Sequence, residues 1–354
     1  MPMPYATHRA QLEAILRAWG MPDDNAAATA EVMAWADLHG IDSHGISMVT
    51  EYDDRRRKGR LSLCARPTIE RETPVSAVVN GDGGLGHVPA LLAMSTAIAK
   101  AKAAGMAAVA VRNSAHFGAC GFYSNMAAEA GLIGMTSTSA AGIRVAPTGG
   151  AEAKFGTDPW SFAAPAADGR HFLLDMATTT VAAGKVRNRA NEAVPCPPGW
   201  VLTRDGAPST DALDLFQRGG FLTPLGGTAE GSSHKGYGLS AMVNILSACL
   251  SGSTLITSPL HMQQPFGQDI GHFFLALDPG LFRDAADFRA DVTAFCDALR
   301  ATRPADPAKP VQVAGDPERA HAARRKVEGI PVGRNLLAKV RAIAEESGAP
   351  WLLG

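Results

Sequence analysis

Two histidines stand in settings where an imidazole could move a proton. His116 lies in Arg112–Gly121 (RNSAHFGACG), a loop that follows an apolar run and continues in small residues, so that a ligand can approach the backbone there. His44 follows Ser43 in DSHGI. A helix beginning at Ser43 would place His44 in its first turn, where the dipole disfavours imidazolium and keeps the ring neutral. A neutral imidazole near its ordinary pKa can accept a hydroxyl proton and return it in the reverse step. Asp175 closes the stretch HFLLD, where a carboxylate can orient an imidazole, bind a ribose hydroxyl or cap a turn. His234 and Lys235, in GSSHKG, open a helical stretch whose amides and hydroxyls could take an anion or act as ordinary caps. His44, His116 and Asp175 are also a donor set that zinc accepts, so a metal hydrolase is a rival expectation. Neither H-E-x-x-H nor H-x-H spacing accompanies it.

The stretch Gly81–Gly86 (GDGGLG) has the spacing G-x-G-x-x-G. In a dinucleotide fold an acidic residue closes the next strand about 20 residues later. Here that strand ends Ala110-Val111-Arg112-Asn113, and the loop lies some 80 residues into the chain behind helices. The expectation is a tight glycine turn that holds no pyrophosphate.

The elements that must position these residues follow from periodicity. Leu12, Ile15, Leu16 and Trp19 repeat at helical spacing, and a second helix runs from Asp23 or Asp24 to Gly40. From about residue 70 an α/β rhythm begins: strand 75–80, helix 87–105, strand 106–112, helix 121–131, strand 132–138. Residues 139–171 are irregular, 171–175 form a short strand, 235–252 a helix with Leu239, Met242, Ile245, Leu246 and Cys249 inward, and 273–277 a strand. The end of the chain is helical again. The division expected is 1–70 with 286–354 as one helical domain and 71–285 as an α/β domain that binds cofactor and substrate.

The 33 basic and 34 acidic residues nearly cancel and no basic run carries interleaved aromatics, which argues against nucleic acid and anionic membranes. No apolar run approaches the 18 or so residues of a membrane span, and MPMPYATHRAQL lacks the apolar segment of a secretory signal, so a cytoplasmic enzyme is expected. Five scattered cysteines without a C-x-x-C pair read as reduced thiols.

Taken together, DSHGI (42–46), GDGGLGH (81–87), HFGACGFY (116–123), FGTDPWSFAAP (155–165), DMATTTVAAGKV (175–186), KGYGLSAMVNIL (235–246), GHFFLALDP (271–279) and GIPV (329–332) resemble the malate/L-lactate dehydrogenase family that is unrelated to ordinary lactate dehydrogenases. The resemblance implies a non-Rossmann NAD(P)-binding α/β fold of the L-sulfolactate dehydrogenase type, with a helical domain formed by both chain ends. It also implies a homodimer whose site lies near the subunit interface. The activity implied is hydride transfer between NAD or NADP and a 2-hydroxy acid/2-oxo acid pair, or in some branches reduction of a cyclic imino acid. The acid/base role falls on His116, with His44 as the other candidate. Cofactor contacts carry over to Ser43, His44, Leu174, Asp175, Met176, Ala177, His234, Lys235, Gly315 and Asp316. No metal is implied.

Three departures stand out. Met48 occupies the position of an arginine that grips the substrate carboxylate, so either another cation, such as Arg144 or one of Arg55–Arg57, takes that role or the substrate differs from malate and lactate. The usual G-T-N-P reads Gly156-Thr157-Asp158-Pro159, and the usual glutamate of the KGYG helix is Asn244.

Overall fold

Apolar runs alternating with helical stretches assemble around one mixed sheet. The computed structural model describes residues 2–140, 142–258, 260 and 269–354. The first half of the chain forms β1 (Pro2–Met3), α1 (Tyr5–Ala18), α2 (Asp23–Leu38), α3 (Val49–Arg57), β2 (Thr68–Thr73), β3 (Ser76–Asn80), α4 (His87–Ala104), β4 (Met106–Arg112), α5 (Cys120–Glu129), β5 (Ile133–Thr138), β6 (Trp160–Ala164) and β7 (Phe172–Met176). The second half forms α6 (Ala183–Glu192), β8 (Val201–Leu202), β9 (Pro208–Ser209), α7 (Ala212–Gln217), β10 (Phe221–Leu222), α8 (His234–Asn244), β11 (His272–Leu277), α9 (Ala285–Arg300), α10 (Asp316–Glu328), β12 (Ile330–Pro331) and α11 (Arg334–Ser347).

The seven-stranded sheet has the order β2-β3-β4-β11-β5-β6-β7. Among its pairs β3 and β4 are parallel, joined through α4, and the others are antiparallel. Strand β11 returns from far along the chain to lie between β4 and β5, with His272 opposite Val111 and Thr138. The ends of β4 and β5 and the start of β11 therefore share one edge, the carboxyl edge of the parallel pair, where α/β sheets receive ligands.

Small residues set the layer spacing. Helix α4 buries Ala90, Ala93, Ala97 and Ala101 with Met94 against Val79, Val109 and Val111, so its backbone lies close to the sheet. Phe117, Tyr123 and Phe274 fill the same core, each worth about 1.5–3 kcal/mol on burial. A second core joins Leu12, Ile15, Leu16, Met33 and Tyr52 from the start of the chain to Ala322, Ile330, Val340 and Leu353 from its end. Helix α9 stands outside that cluster. It buries Cys296 and lies along the 167–170 turn, where the Ala167 amide donates to Thr293 Oγ1 at 2.9 Å. Within 145–222 a small third core gathers Val145, Val186, Val201 and Leu222.

Two local expectations are corrected. Residues 42–45 form turns, Ile46–Met48 one 3-10 turn, and the helix begins at Val49 rather than Ser43. Helix α8 is inverted relative to the expected face. Gly236, Ser240 and Val243 pack inward, followed by Ser247 and Ala248, while Ile245 is 59% exposed and Cys249 also faces out. The small polar residues find partners across the sheet, as in Ser137 Oγ to Ser247 Oγ at 2.8 Å, which permits an approach that leucine and isoleucine would block.

Candidate active site

The site is built on the segment after β4. The glycine stretch 81–86 packs backbone to backbone on that segment: the Gly81 amide donates to Arg112 O, that of Gly83 to Asn113 O at 2.9 Å, and that of Gly86 to His116 O at 2.9 Å. A Cβ on Gly86 would collide with Ala115 O, and one on Gly81 would lie 2.8 Å from Asn113 O. The glycines thus serve close approach to the loop that carries His116. From the other side His272 bonds Ser114 Oγ at 2.9 Å through Nε2 and Thr138 Oγ1 at 2.7 Å through Nδ1, and its ring stacks on Phe117 at 4.5 Å. Gly118 takes φ +82°, which turns its amide back onto His116 Nδ1 at 3.4 Å.

His44 is held by a different anchor. The buried Asp37 carboxylate accepts from Ile46 N at 2.7 Å and meets His8 Nε2 at 2.7 Å, while Gly45 lies flat against it. Arg325 bonds Asp37 O and pairs with Asp42, tying the same turn to α10. Ser43 Oγ meets His44 Nδ1 at 2.8 Å, so Ser43 orients the ring instead of capping a helix.

These supports bring the His44 and His116 rings to 5.3 Å between centroids, nearly parallel. Both line a cleft of about 340 Å³ shared with Glu51, Gly118, Thr138, Ser139, Gly142, Arg144, Thr157 and Pro159. Crowding by protein lowers the pKa of His44 to about 4 and that of His116 well below its ordinary value, the neighbouring His44, His87, Arg55 and His272 adding to the effect at His116. The cause at His44 is burial, not a helix dipole, and both rings are neutral at pH 7. His116 Nδ1 meets Tyr52 Oη at 2.6 Å, and its Nε2 makes no bond to the described residues. Among the described residues Arg144 has no ion-pair partner, whereas Arg56 and Arg57 are taken by Asp53 and Glu346.

The other expected cofactor contacts fall in two places. Leu174, Asp175 and Gly315 line a groove of about 270 Å³ with Gln312 and Glu318. Asp175 Oδ2 accepts from Gly121 N at 2.7 Å at the start of α5, and crowding raises its pKa to about 6. Met176 ends β7 opposite Trp160, with Ala177 next in the chain. Gly118 lines the cleft, and Gly121, three residues on, bonds Asp175, which lines the groove. Asp316 is engaged by Arg300 through two bonds, by Arg319 and by Val313 N, which holds its carboxyl low in pKa and closes the turn below Gly315. His234 and Lys235 are exposed at the start of α8, beside a cavity of about 180 Å³ lined by Thr148, Thr228 and Ser233. His44, His116 and Asp175 do not share one shell, and among the described residues no three His, Cys, Asp or Glu side chains gather as metal ligands. The hydrolase reading loses its donor set.

The two departures in the G-T-N-P and KGYG blocks meet in space. Asp158 is wholly buried, its Oδ1 accepting from Ala140 N at 3.0 Å, with the Asn244 side chain beside it. Asp158 Oδ2 and Asn244 Oδ1 are both left without a donor. Sequence reading missed Tyr52, Glu51 and the support from His272. Tyr52 lies in α3, which begins at Val49, and nothing in the sequence around it signals its contact with His116.

Neutral paired imidazoles at the carboxyl edge of a mixed sheet, with an arginine and no phosphate-binding glycine loop, define a dehydrogenase class that dispenses with the Rossmann cradle. The chain belongs to the malate/L-lactate dehydrogenase family, whose pattern matches residues 3–341. It is 36% identical to malate dehydrogenase of Pyrococcus horikoshii over 96% of this chain and 93% of that one. It is 33% identical to L-sulfolactate dehydrogenase of Methanocaldococcus jannaschii over 94% of each. The crystal structure of malate dehydrogenase from Entamoeba histolytica superposes with a TM-score of 0.93 at 32% identity, covering 99% of both chains. The protein is accordingly an oxidoreductase of 2-hydroxy and 2-oxo acids that works with a nicotinamide cofactor.

Proposed function

We propose that the chain interconverts a small 2-oxo acid and its 2-hydroxy acid, with His116 as acid/base, Arg144 holding the carboxylate and either NADH or NADPH as hydride source. The observation that carries this reading is that, among the described residues, Nε2 of His116 is unbonded in a cleft that also contains Arg144, which has no carboxylate partner there. In oxidation neutral His116 takes the hydroxyl proton at Nε2, and in reduction the imidazolium returns it. His44, oriented by Ser43, stacks against His116 and limits its rotation. The guanidinium of Arg144, which lines the same cleft, supplies the fork that Met48 cannot. A bound nicotinamide cofactor supplies or receives the hydride; Leu174, Asp175, Met176, Ala177 and Gly315 would hold its far end, with Ser43 and His44 at the ring. We assign His234, Lys235 and Asp316 indirect roles through the loops they close.

Assembly as a homodimer is part of the proposal. Ile245, Cys249 and Leu250 face outward at the end of α8 and in the turn after it, Ile245 and Leu250 each 59% exposed, with the half-buried Leu239, Met242 and Leu246 beside them as an apolar strip. A strip of that kind favours a second copy over water. The described helices include none long and apolar enough to cross a membrane, and the five thiols are free, in keeping with work in the cytoplasm. The deciding experiment is a panel of 2-oxo acids and cyclic imino acids, each with NADH and NADPH, followed at 340 nm. Turnover of a linear 2-oxo acid is expected; turnover of cyclic imino acids alone would overturn the substrate class.

A further inference from the structure

His116 has an unusual support for an acid/base histidine. No carboxylate touches its Nδ1. The two groups there are the Gly118 amide, at 3.4 Å, and the Tyr52 hydroxyl, at 2.6 Å. An amide N–H can only donate, so it favours the neutral ring with a bare Nδ1 and a proton on Nε2. That tautomer cannot accept a proton in the cleft. A hydroxyl can both donate and accept, and Tyr52 has no other hydrogen-bond partner among the described residues.

We propose that Tyr52 is the positioning residue that sets the tautomer of His116, its oxygen accepting from Nδ1–H so that Nε2 faces the substrate bare. The inference rests on His116 being the acid/base. When Nε2 takes the substrate proton the ring becomes imidazolium, and the same phenol oxygen continues to accept from Nδ1–H. In reduction the proton passes from Nε2 to the 2-oxo group and the neutral Nδ1–H ring is restored; in net oxidation Nε2 releases its proton to solvent through the open cleft after the oxo acid leaves, and Nδ1–H stays on the phenol oxygen in both directions. In the free enzyme the hydroxyl can rotate and donate to Nδ1, which stores the ring as the other tautomer without loss of the contact. A neutral phenol in place of a carboxylate also leaves the imidazolium unstabilised by charge. That agrees with the low pKa of His116, which the facing groups His44, His87, Arg55 and His272 all depress.

The local fold supports this role. Tyr52 lies in α3 with its ring wholly buried, set edge-on to His87 at 5.9 Å, in the core that joins both chain ends. The hydroxyl is thus fixed by the terminal helical layer while the imidazole belongs to the sheet, and the 2.6 Å contact spans the two.

The test compares Tyr52→Phe and His116→Ala with the intact enzyme, the His116→Ala rate checking the acid/base reading and the Tyr52→Phe to wild-type ratio checking this one. Phenylalanine keeps the packing, so the melting curve and the quenching of NADH fluorescence are expected to stay unchanged. Only the Gly118 amide then faces Nδ1, which holds the ring in the unproductive tautomer. In hydroxy-acid oxidation kcat is expected to fall roughly 10²- to 10⁴-fold, with KM little altered. The acid limb of the kcat profile should move to lower pH, because the imidazolium loses its acceptor while His44, His87, Arg55, His272 and Glu51 are unchanged. A 3-fluorotyrosine at position 52, whose oxygen is a poorer acceptor, is expected to lower kcat several-fold without any packing change, and covers the case in which the phenylalanine variant folds badly. Wild-type kcat and an unmoved acid limb in either variant at position 52 would overturn the proposal, as would equal loss of kcat and NADH affinity.

Discussion

Asp158 offers a direct test of how burial acts in this protein, because its charge has little to balance it. Desolvation raises its pKa from 3.8 to about 7, opposed by the Ala140 and Gly156 amides and the Asn244 side chain. The folded state therefore holds a proton that the unfolded chain releases between pH 4 and 7. Stability falls as pH rises through that window and levels off above it. A shift of about three units corresponds to about 4 kcal/mol lost between pH 4 and pH 8. Asp158→Asn removes the titration. The new amide oxygen is expected to accept from Ala140 N as the carboxylate does, and its NH₂ brings a donor to the neighbourhood of Asn244, whose Oδ1 has none. The variant should match the wild type at pH 4 and exceed it by about 4 kcal/mol at pH 8, or about 5 °C in Tm for a chain of this length. Urea denaturation and thermal melts at pH 4, 6 and 8 measure this. A gain independent of pH, or none at pH 8, would refute the argument that an unbalanced buried carboxylate is the cause.

Other expectations follow from particular contacts. Gly45→Ala would drive a methyl group into the Asp37 carboxyl, costing about 1–3 kcal/mol and displacing the His44 turn; a lower urea midpoint together with reduced kcat is the expected result. Arg144→Ala should raise KM for the 2-oxo acid roughly 10- to 100-fold while kcat changes less, as loss of a charged hydrogen bond implies. Ile245→Asp combined with Leu250→Asp places charge on the exposed strip of α8 and should convert a dimer to a monomer in light scattering, with no loss of helical signal in circular dichroism.

Much of this was legible in the residues, for reasons that differ by segment. The run Met106–Arg112 is a strand in both views because its alternation of valine and alanine has no competing helical reading. The α4 boundaries are sharp because Gly86 and Gly105 bracket them. By contrast β6 was hidden in the stretch 139–171, since its Trp160, Ser161, Phe162 and Ala163 alternate over only five residues between prolines. The face of α8 differs from the expected one because Ser240 and, just beyond the helix, Ser247 turn inward to bond Thr178 and Ser137. That information lies in β5 and in the segment after β7, not in the helix. His116 and His44 were found individually by their loops, and their 5.3 Å stack was not, because Asp37 and the glycine stretch that bring them together act from other parts of the chain. Tyr52 was invisible for the same reason.

The central claim is that His116 carries the proton while the chain binds its cofactor elsewhere in the cleft. Its most direct measurement is single-turnover reduction of a 2-oxo acid by NADH-loaded enzyme, comparing wild type with His116→Ala after fluorescence titration of NADH into each. The account expects matching NADH affinity and a chemical step slowed roughly 10²- to 10⁴-fold in the variant. An unchanged rate of the chemical step in His116→Ala would contradict it.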